Sequence, residues 1–275
     1  IAELEIDSEY RESAHDALFK DFGDGDLGQD ELSHFPDYLV CVSADKLHAA
    51  ESDTLMEMLS AGLPVKVLVQ TDDLLEESSV GGGNGHFASG MRSKQVANMA
   101  IGLNDVYVMQ SASSNLFQFR DRILKGMAYA GPALFSVYSG ASGDTATLPP
   151  YLNAAAAMES RAFPAYCYDP SAGPNWASRF YLEGNSQVEA DWPAQNFTYE
   201  DANHQRVCSE AGFTFVDFVA CDRRYAKHFA RVPRAKWNAN MIPAGEYLQL
   251  GAKGAPGKVP FVALVDGDNN LCRAI

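Results

Sequence analysis

Four short apolar runs, each separated from the next by a stretch of helical period, limit what this chain can fold into. They are Tyr38-Leu-Val-Cys-Val-Ser43, Pro64-Val-Lys-Val-Leu-Val69, Val106-Tyr-Val-Met-Gln110 and Pro132-Ala-Leu-Phe-Ser-Val-Tyr138. Runs this short and this continuously apolar read as strands buried on both faces, the kind found in parallel sheets. Between the first two lies Ser52–Ala61, with Leu55, Met56, Met58 and Leu59 on a helical spacing and Gly62 as the stop. Helices are likewise predicted over Ser93–Ile101, Ser114–Ala130 and the Ala-rich Leu152–Phe163, which ends before Pro164. Strand–helix–strand units of this length require a parallel pair joined by a right-handed crossover. The predicted class is therefore α/β, with a doubly wound, mostly parallel sheet. No internal repeat is visible.

The flanks divide the chain. Residues 1–37 hold a predicted helix, Ser8–Phe22, with Tyr10, Ala14, Leu18 and Phe22 at helical intervals, followed by the acidic loop Gly23–Phe35. Residues 38–206 form the α/β domain, within which Asn175–Pro193 reads as an ordered loop. Residues 207–275 are a C-terminal extension expected to pack on it. There Val216–Ala220 reads either as a strand or as the start of a helix running through Tyr225 and Phe229. The end is a β-hairpin: Val259–Val265, the turn Asp266-Gly-Asp-Asn269, then Asn270–Ile275. The chain opens without Met and stops in mid-strand, which predicts a longer parent.

With 36 acidic and 21 basic residues the net charge is −15, which argues against nucleic acid or an anionic membrane as the main partner. No apolar run approaches the length of a membrane span, and the acidic opening IAELEIDSEYRE is unlike a secretory leader. The five cysteines, Cys41, Cys167, Cys208, Cys221 and Cys272, form no Cys-x-x-Cys pair. They read as free thiols of a cytoplasmic protein, with Cys41 and Cys221 buried in apolar runs and no iron–sulfur cluster or zinc site in this chain. The sequon at Asn196 is then a chance occurrence, and His86 in the glycine-rich loop is an exposed residue.

Ligands in such sheets bind beyond the carboxyl ends of the strands. Those ends are Ser43-Ala44-Asp45-Lys46, Gln70-Thr71-Asp72-Asp73, Gln110-Ser111 and Ser139-Gly140. The glycines of Ser139–Gly143 lack the spacing of a nucleotide fingerprint. Gly23-Asp24-Gly25 follows a helical segment rather than a strand, and it reads as a solvated acidic turn.

Six blocks carry a resemblance: Tyr38–Lys46, Leu59–Val69, Asp105–Met109, Gly131–Tyr138, Cys167-Tyr-Asp-Pro170 and Phe180-Tyr-Leu182. In this order they resemble the C-terminal thiamine-diphosphate-binding domain of pyruvate:ferredoxin (flavodoxin) oxidoreductases, over roughly residues 38–200. The resemblance implies oxidative decarboxylation of a 2-oxo acid, with thiamine diphosphate and Mg²⁺ as cofactors and electrons passing through clusters to ferredoxin. It also implies other domains or subunits of a larger oxidoreductase as partners. The family's Gly-Asp-Gly falls on Ala44-Asp45-Lys46, so Asp45 is a candidate metal ligand. Its second metal-binding stretch falls on Thr71–Glu77, which includes Asp72, the second candidate ligand, and Leu74; the following Gly-Gly falls on Gly81 and Gly82.

The departures from that pattern are physical. Ala44 and Lys46 add a Cβ where glycines let backbone approach a diphosphate. A lysine ammonium about 4 Å from Mg²⁺ would repel it by roughly 8 kcal/mol at an effective dielectric near 20. Glu77 stands where the family has Asn, and no asparagine lies between residues 26 and 83. These changes predict a degenerate cofactor site with Lys46 as an internal counter-cation for Asp45 and Asp72. The alternative to an enzyme domain is then a structural or docking domain for a sister subunit or ferredoxin. The basic run Arg223–His228, with Arg231, Arg234 and Lys236, is either such a docking face or a solvated helix face.

Overall fold

Each of the four apolar runs is a strand in the computed structural model, which describes residues 6–20, 26, 28, 30–31, 34, 38–75, 91–141, 143, 145–201 and 203–275. The strands are β1 (Tyr38–Ser43), β2 (Val65–Thr71), β3 (Tyr107–Ala112) and β4 (Ala133–Tyr138). They alternate with α2 (Ala49–Ser60), α3 (Met91–Gly102), α4 (Arg120–Met127) and α5 (Pro150–Glu159), after an N-terminal α1 (Glu12–Lys20). All neighbouring pairs among the four are parallel, β1 with β2, β2 with β4 and β4 with β3. Two short antiparallel strands, β5 (Tyr166–Tyr168) and β6 (Phe180–Tyr181), extend the sheet to the order β1-β2-β4-β3-β5-β6.

Side-chain alternation explains why helices lie on both faces. On one face Val67, Val69, Val108 and Leu134 pack with Leu55 and Leu59 of α2 and Val96, Ala97 and Ala100 of α3. On the other, Tyr107, Met109 and Phe135 pack with Ala154, Ala157 and Met158 of α5. Helix α4 joins this second face through Gly126, where an added Cβ would lie 2.5 Å from the Tyr107 ring. Strand β3 has no solvent face at all: every one of its residues is buried. By contrast β1 lies at the sheet edge, and Tyr38 and Leu39 are exposed. Cys41 on β1 is exposed as well, so only Cys167 of the five free thiols is fully buried, and Cys221 is half-buried. Burial pushes the Cys167 thiol up to about 11, which makes it a poor nucleophile.

A buried lysine fastens the lower end of the sheet. Lys66 Nζ donates to the carbonyl oxygens of Tyr129 and Gly131, at 2.5 and 2.9 Å, in the link between α4 and β4. The predicted helix Ser114–Ala130 begins later than its pattern suggested, because buried Asn115 sits in a 3-10 turn and donates to Gly184 O across 3.1 Å. The loop predicted at Asn175–Pro193 contains a 3-10 turn, Trp176–Arg179, and the edge strand β6. Beyond it, β7 (Ala194–Glu200) and β8 (Arg206–Gly212) form a separate antiparallel ribbon.

The ambiguous run after Thr214 is a helix, α6 (Phe215–Ala220), opened by a capping box in which Thr214 and Asp217 satisfy each other. It leads through the 3-10 turn Arg223–His228 to a four-stranded sheet. That sheet comprises β9 (Arg231–Val232), β10 (Met241–Pro243), β11 (Val259–Val265) and β12 (Leu271–Ala274) in the order β10-β11-β12-β9, with α7 (Ala244–Gly254) between β10 and β11. The C-terminal hairpin is β11–β12, with Val265 opposite Leu271. No helix among the described residues is long and apolar enough to cross a membrane.

Two outcomes follow from this packing. Gly140, just past β4, has φ +76°, and an added Cβ would sit 2.1 Å from Pro150 O at the start of α5. Gly140→Ala should therefore cost about 2–4 kcal/mol in urea unfolding, since strain and backbone overlap add; a loss under about 0.5 kcal/mol would show that α5 relaxes freely. The second concerns Asp169, which is buried and ion-paired to Lys125 while capping Ser171. Burial pushes its carboxyl up, but the bonds from Lys125 and Ser171 outweigh this and hold it below the ordinary range. A carboxylate held low stabilises the fold at neutral pH and loses that contribution as pH falls through its folded value. The stability gap between wild type and Asp169→Asn should then be full near neutrality and close below about pH 4. A gap unchanged down to about pH 3 would contradict it.

Candidate functional site

The carboxyl ends of β1, β2 and β4 meet along one edge. The β1–β2 register sets Ser43 beside Gln70, so Asp45 and Asp72 each lie two residues beyond a paired position on adjacent strands. Ala44, Asp45 and Lys46 form a 3-10 turn that closes β1. Ala44 is half-buried, whereas Asp45 and Lys46 are exposed. The Ser43 hydroxyl donates to Asp45 and holds its carboxyl below the usual range, with Lys46 a minor contributor.

Asp72 turns the other way. Its Oδ1 accepts from Gln70 Nε2 at 2.9 Å and from Ser139 Oγ at the end of β4. The Ser139 amide in turn donates to Thr71 O at 2.9 Å, and Ser113 Oγ donates to Ser139 O at 2.8 Å. The ends of β2, β3 and β4 are thus laced together, and Asp72 belongs to that lacing. Leu74 is fully buried in the main core. Glu77, Gly81 and Gly82 lie outside the described residues, as does Gly23-Asp24-Gly25. Among the described residues no group of three or more side chains is placed to hold a metal ion.

The cation that reaches this edge comes from 151 residues away. Arg224, in the 3-10 turn after α6, grips Asp73 with both guanidinium ends, Nη1 to Oδ2 at 2.6 Å and Nη2 to Oδ1 at 2.8 Å. The same guanidinium reaches Asp222 Oδ2 at 2.7 Å, and Asp222 is buried. Tyr225 then donates to Leu75 O at 2.5 Å. The hydrogen bonds it donates to both carboxylates push the Arg224 guanidinium further into its charged range. Lys46, the counter-cation suggested by adjacency in sequence, makes no ion pair among the described residues, and it contributes less to the lowering at Asp45 than the Ser43 hydroxyl does.

With Arg224 in place the edge is narrow. The cleft bounded by Asp73, Leu74, Leu75, Tyr138, Asn153, Phe218 and Asp222 has a volume of only about 10 Å³. Small-molecule sites run to about 300–1,000 Å³. Sequence reasoning placed Arg224 in a basic run read as a docking or solvated face, and it missed the pairing with Asp73 because no local spacing links the two residues. No family model matches the chain, and no curated protein matches it significantly.

Arg224→Met leaves two carboxylates without their cation, one of them buried. It should lower stability by about 2–4 kcal/mol, less than a fully buried pair because Asp73 and Arg224 retain some solvent. Asp73→Asn in that background should recover part of the loss, with a coupling of about 1–3 kcal/mol in a double-mutant cycle by urea unfolding. Additive losses would mean that the two side chains act independently.

Proposed function

We propose that this chain is a degenerate homologue of the thiamine-diphosphate-binding domain of pyruvate:ferredoxin (flavodoxin) oxidoreductases. In this reading it is doubly wound like that domain and serves as a structural or docking module of a larger, cytoplasmic oxidoreductase-like protein. Decarboxylation and electron transfer to ferredoxin then belong to sister domains or subunits.

The observation that carries the reading is the Arg224 fork on Asp73. In the family comparison this strand end is where Mg²⁺ and diphosphate would be held. Here a guanidinium already occupies the Asp73 carboxylate, and Asp72 is tied to Ser139. Asp45 remains as a lone exposed carboxylate beside an ammonium. The cleft, at about 10 Å³, is far too small for a cofactor of thiamine diphosphate's size. The described residues therefore do not fit the cofactor, and no catalytic step is assigned to it. The parallel core, which supports the likeness in fold, does not depend on the cofactor.

Calorimetric titration of the chain with thiamine diphosphate and Mg²⁺ tests this. No binding stronger than about millimolar is expected, equivalent to about 4 kcal/mol. Micromolar or tighter binding would restore the chain to the cofactor-using members of the family.

A further inference from the structure

A second arginine of the C-terminal extension is placed quite differently. Arg273, on β12, has its guanidinium carbon 4.4 Å from the Trp237 ring centre and 4.3 Å from that of Phe261. Two aromatic faces thus flank one cation. Its Nε is buried without a hydrogen-bond partner, and among the described residues the side chain forms no ion pair or hydrogen bond. Aromatic faces attract a guanidinium but accept none of its N–H bonds, so they orient the group without satisfying it. A buried Nε–H left in that state is costly unless an acceptor completes it.

The surroundings are cationic and fixed in position. Strand β9 pairs with β12, with Val232 opposite Arg273 and Arg231 opposite Ala274. Ala230 and Ile275 exchange backbone hydrogen bonds at 2.8 and 3.0 Å, and Trp237 Nε1 donates to Val232 O at 3.0 Å. Arg234 stands 5.7 Å from the same indole that Arg273 faces. Arg231, Arg234 and Lys236 are exposed, and no acidic residue lies between Arg223 and Lys236. The carboxylate that senses this group is Asp201, whose own Gln205 and Asn203 amides hold it low, with a smaller contribution from Arg234.

We propose that Arg273, clamped by Trp237 and Phe261 and with Arg234 against the same indole, is a binding site for a multiply charged oxyanion. Arg273 supplies the oriented fork for one carboxylate or phosphate group, and Arg234 takes a further negative charge. A chain of net −15 repels anions in general, so retention of one requires a built cationic site of this kind. The ligand is either a small polyanion or a run of acidic side chains, and both present the same chemistry to the fork. This site is distinct from the strand-end cluster of Arg224 and does not depend on how that cluster is read.

The test titrates the whole chain with inorganic phosphate, citrate and a hexaglutamate peptide at low salt, following tryptophan fluorescence and melting temperature. Trp237→Phe assigns the fluorescence change, since the chain has 3 tryptophans. Saturable binding with a rise in melting temperature is expected from at least one probe. Arg273→Met should weaken it by about tenfold or more, and Arg273→Lys, which keeps the charge but not the fork, should do the same. Arg120→Met, on an exposed pair of α4, should leave it unchanged. Hexaglutamate binding about tenfold tighter than citrate or phosphate identifies an acidic peptide segment, and the reverse order a small anion; either bears out the site. No saturable response to any of the three, or a response that survives both Arg273 variants, overturns the proposal. If Arg273→Met fails to fold, Arg273→Lys decides.

Discussion

The constraint on which the rest of this structure depends is that β2, β3 and β4 are covered by helices on both faces, with β3 buried along its whole length. Strands in that position offer side chains little water, so polar residues there gain from a built-in partner or a place at the strand end, although Ser136 Oγ in the middle of β4 is buried with no hydrogen-bond partner among the described residues. Lys66 illustrates the first case: its stem crosses the sheet and its ammonium ends on two carbonyl oxygens of the α4–β4 link. The second case fills the opposite edge, where Asp72, Asp73, Ser113 and Ser139 gather. In a parallel sheet all the strand carboxyl ends lie on one side, so the polar groups accumulate there and need a common solution.

The solution is an arginine from the far end of the chain. A lysine at position 46 is near in sequence, but a point charge on an exposed flexible stem gains little in high dielectric. A guanidinium that is mostly buried, binds one carboxylate with two parallel bonds and reaches a second carboxylate gains far more. Arg224 has that geometry, and Tyr225 adds a hydrogen bond from the next residue. The C-terminal extension is therefore locked to the sheet through its polar edge as well as through Phe218 and Val219 in the core. One consequence is chemical: the carboxylates of Asp73 and Asp222 at this edge are taken up by a side chain of the same chain.

What was legible in the sequence was whatever burial writes into a contiguous run. The four parallel strands, the helices between them and the C-terminal hairpin all show as continuous apolar or periodic segments. Strand β5 has only the three residues Tyr166-Cys167-Tyr168, too few to carry a period, and β6 has two. The ribbon β7–β8 is mostly exposed, so its alternation carries little hydrophobic contrast. The edge position of β1 was invisible for a related reason: Leu39 and Cys41 look apolar whether or not anything covers them. At the candidate site the register that aligns Asp45 with Asp72 followed from the strand pattern, and the identity of the counter-cation did not. A contact between residues 73 and 224 depends on the whole topology, and no local spacing encodes it.

The same limit separates the two arginines of the C-terminal extension. Arg224 and Arg273 are both guanidiniums on one extension, and a sequence reading treats them alike. Arg224 ends among carboxylates and is satisfied within the fold. Arg273 ends between two aromatic rings, held in place and left with open N–H groups. Salt-bridging arginines consolidate a fold, whereas a stacked arginine with no acceptor is oriented toward something the described residues do not supply. A cation can be buried against rings cheaply only when its remaining donors find an anion, because the ring quadrupole offsets part of the desolvation and none of the lost hydrogen bonds. The extension thus has two electrostatic halves: one facing inward that fixes it on the sheet, and one facing outward whose partner must bring the negative charge.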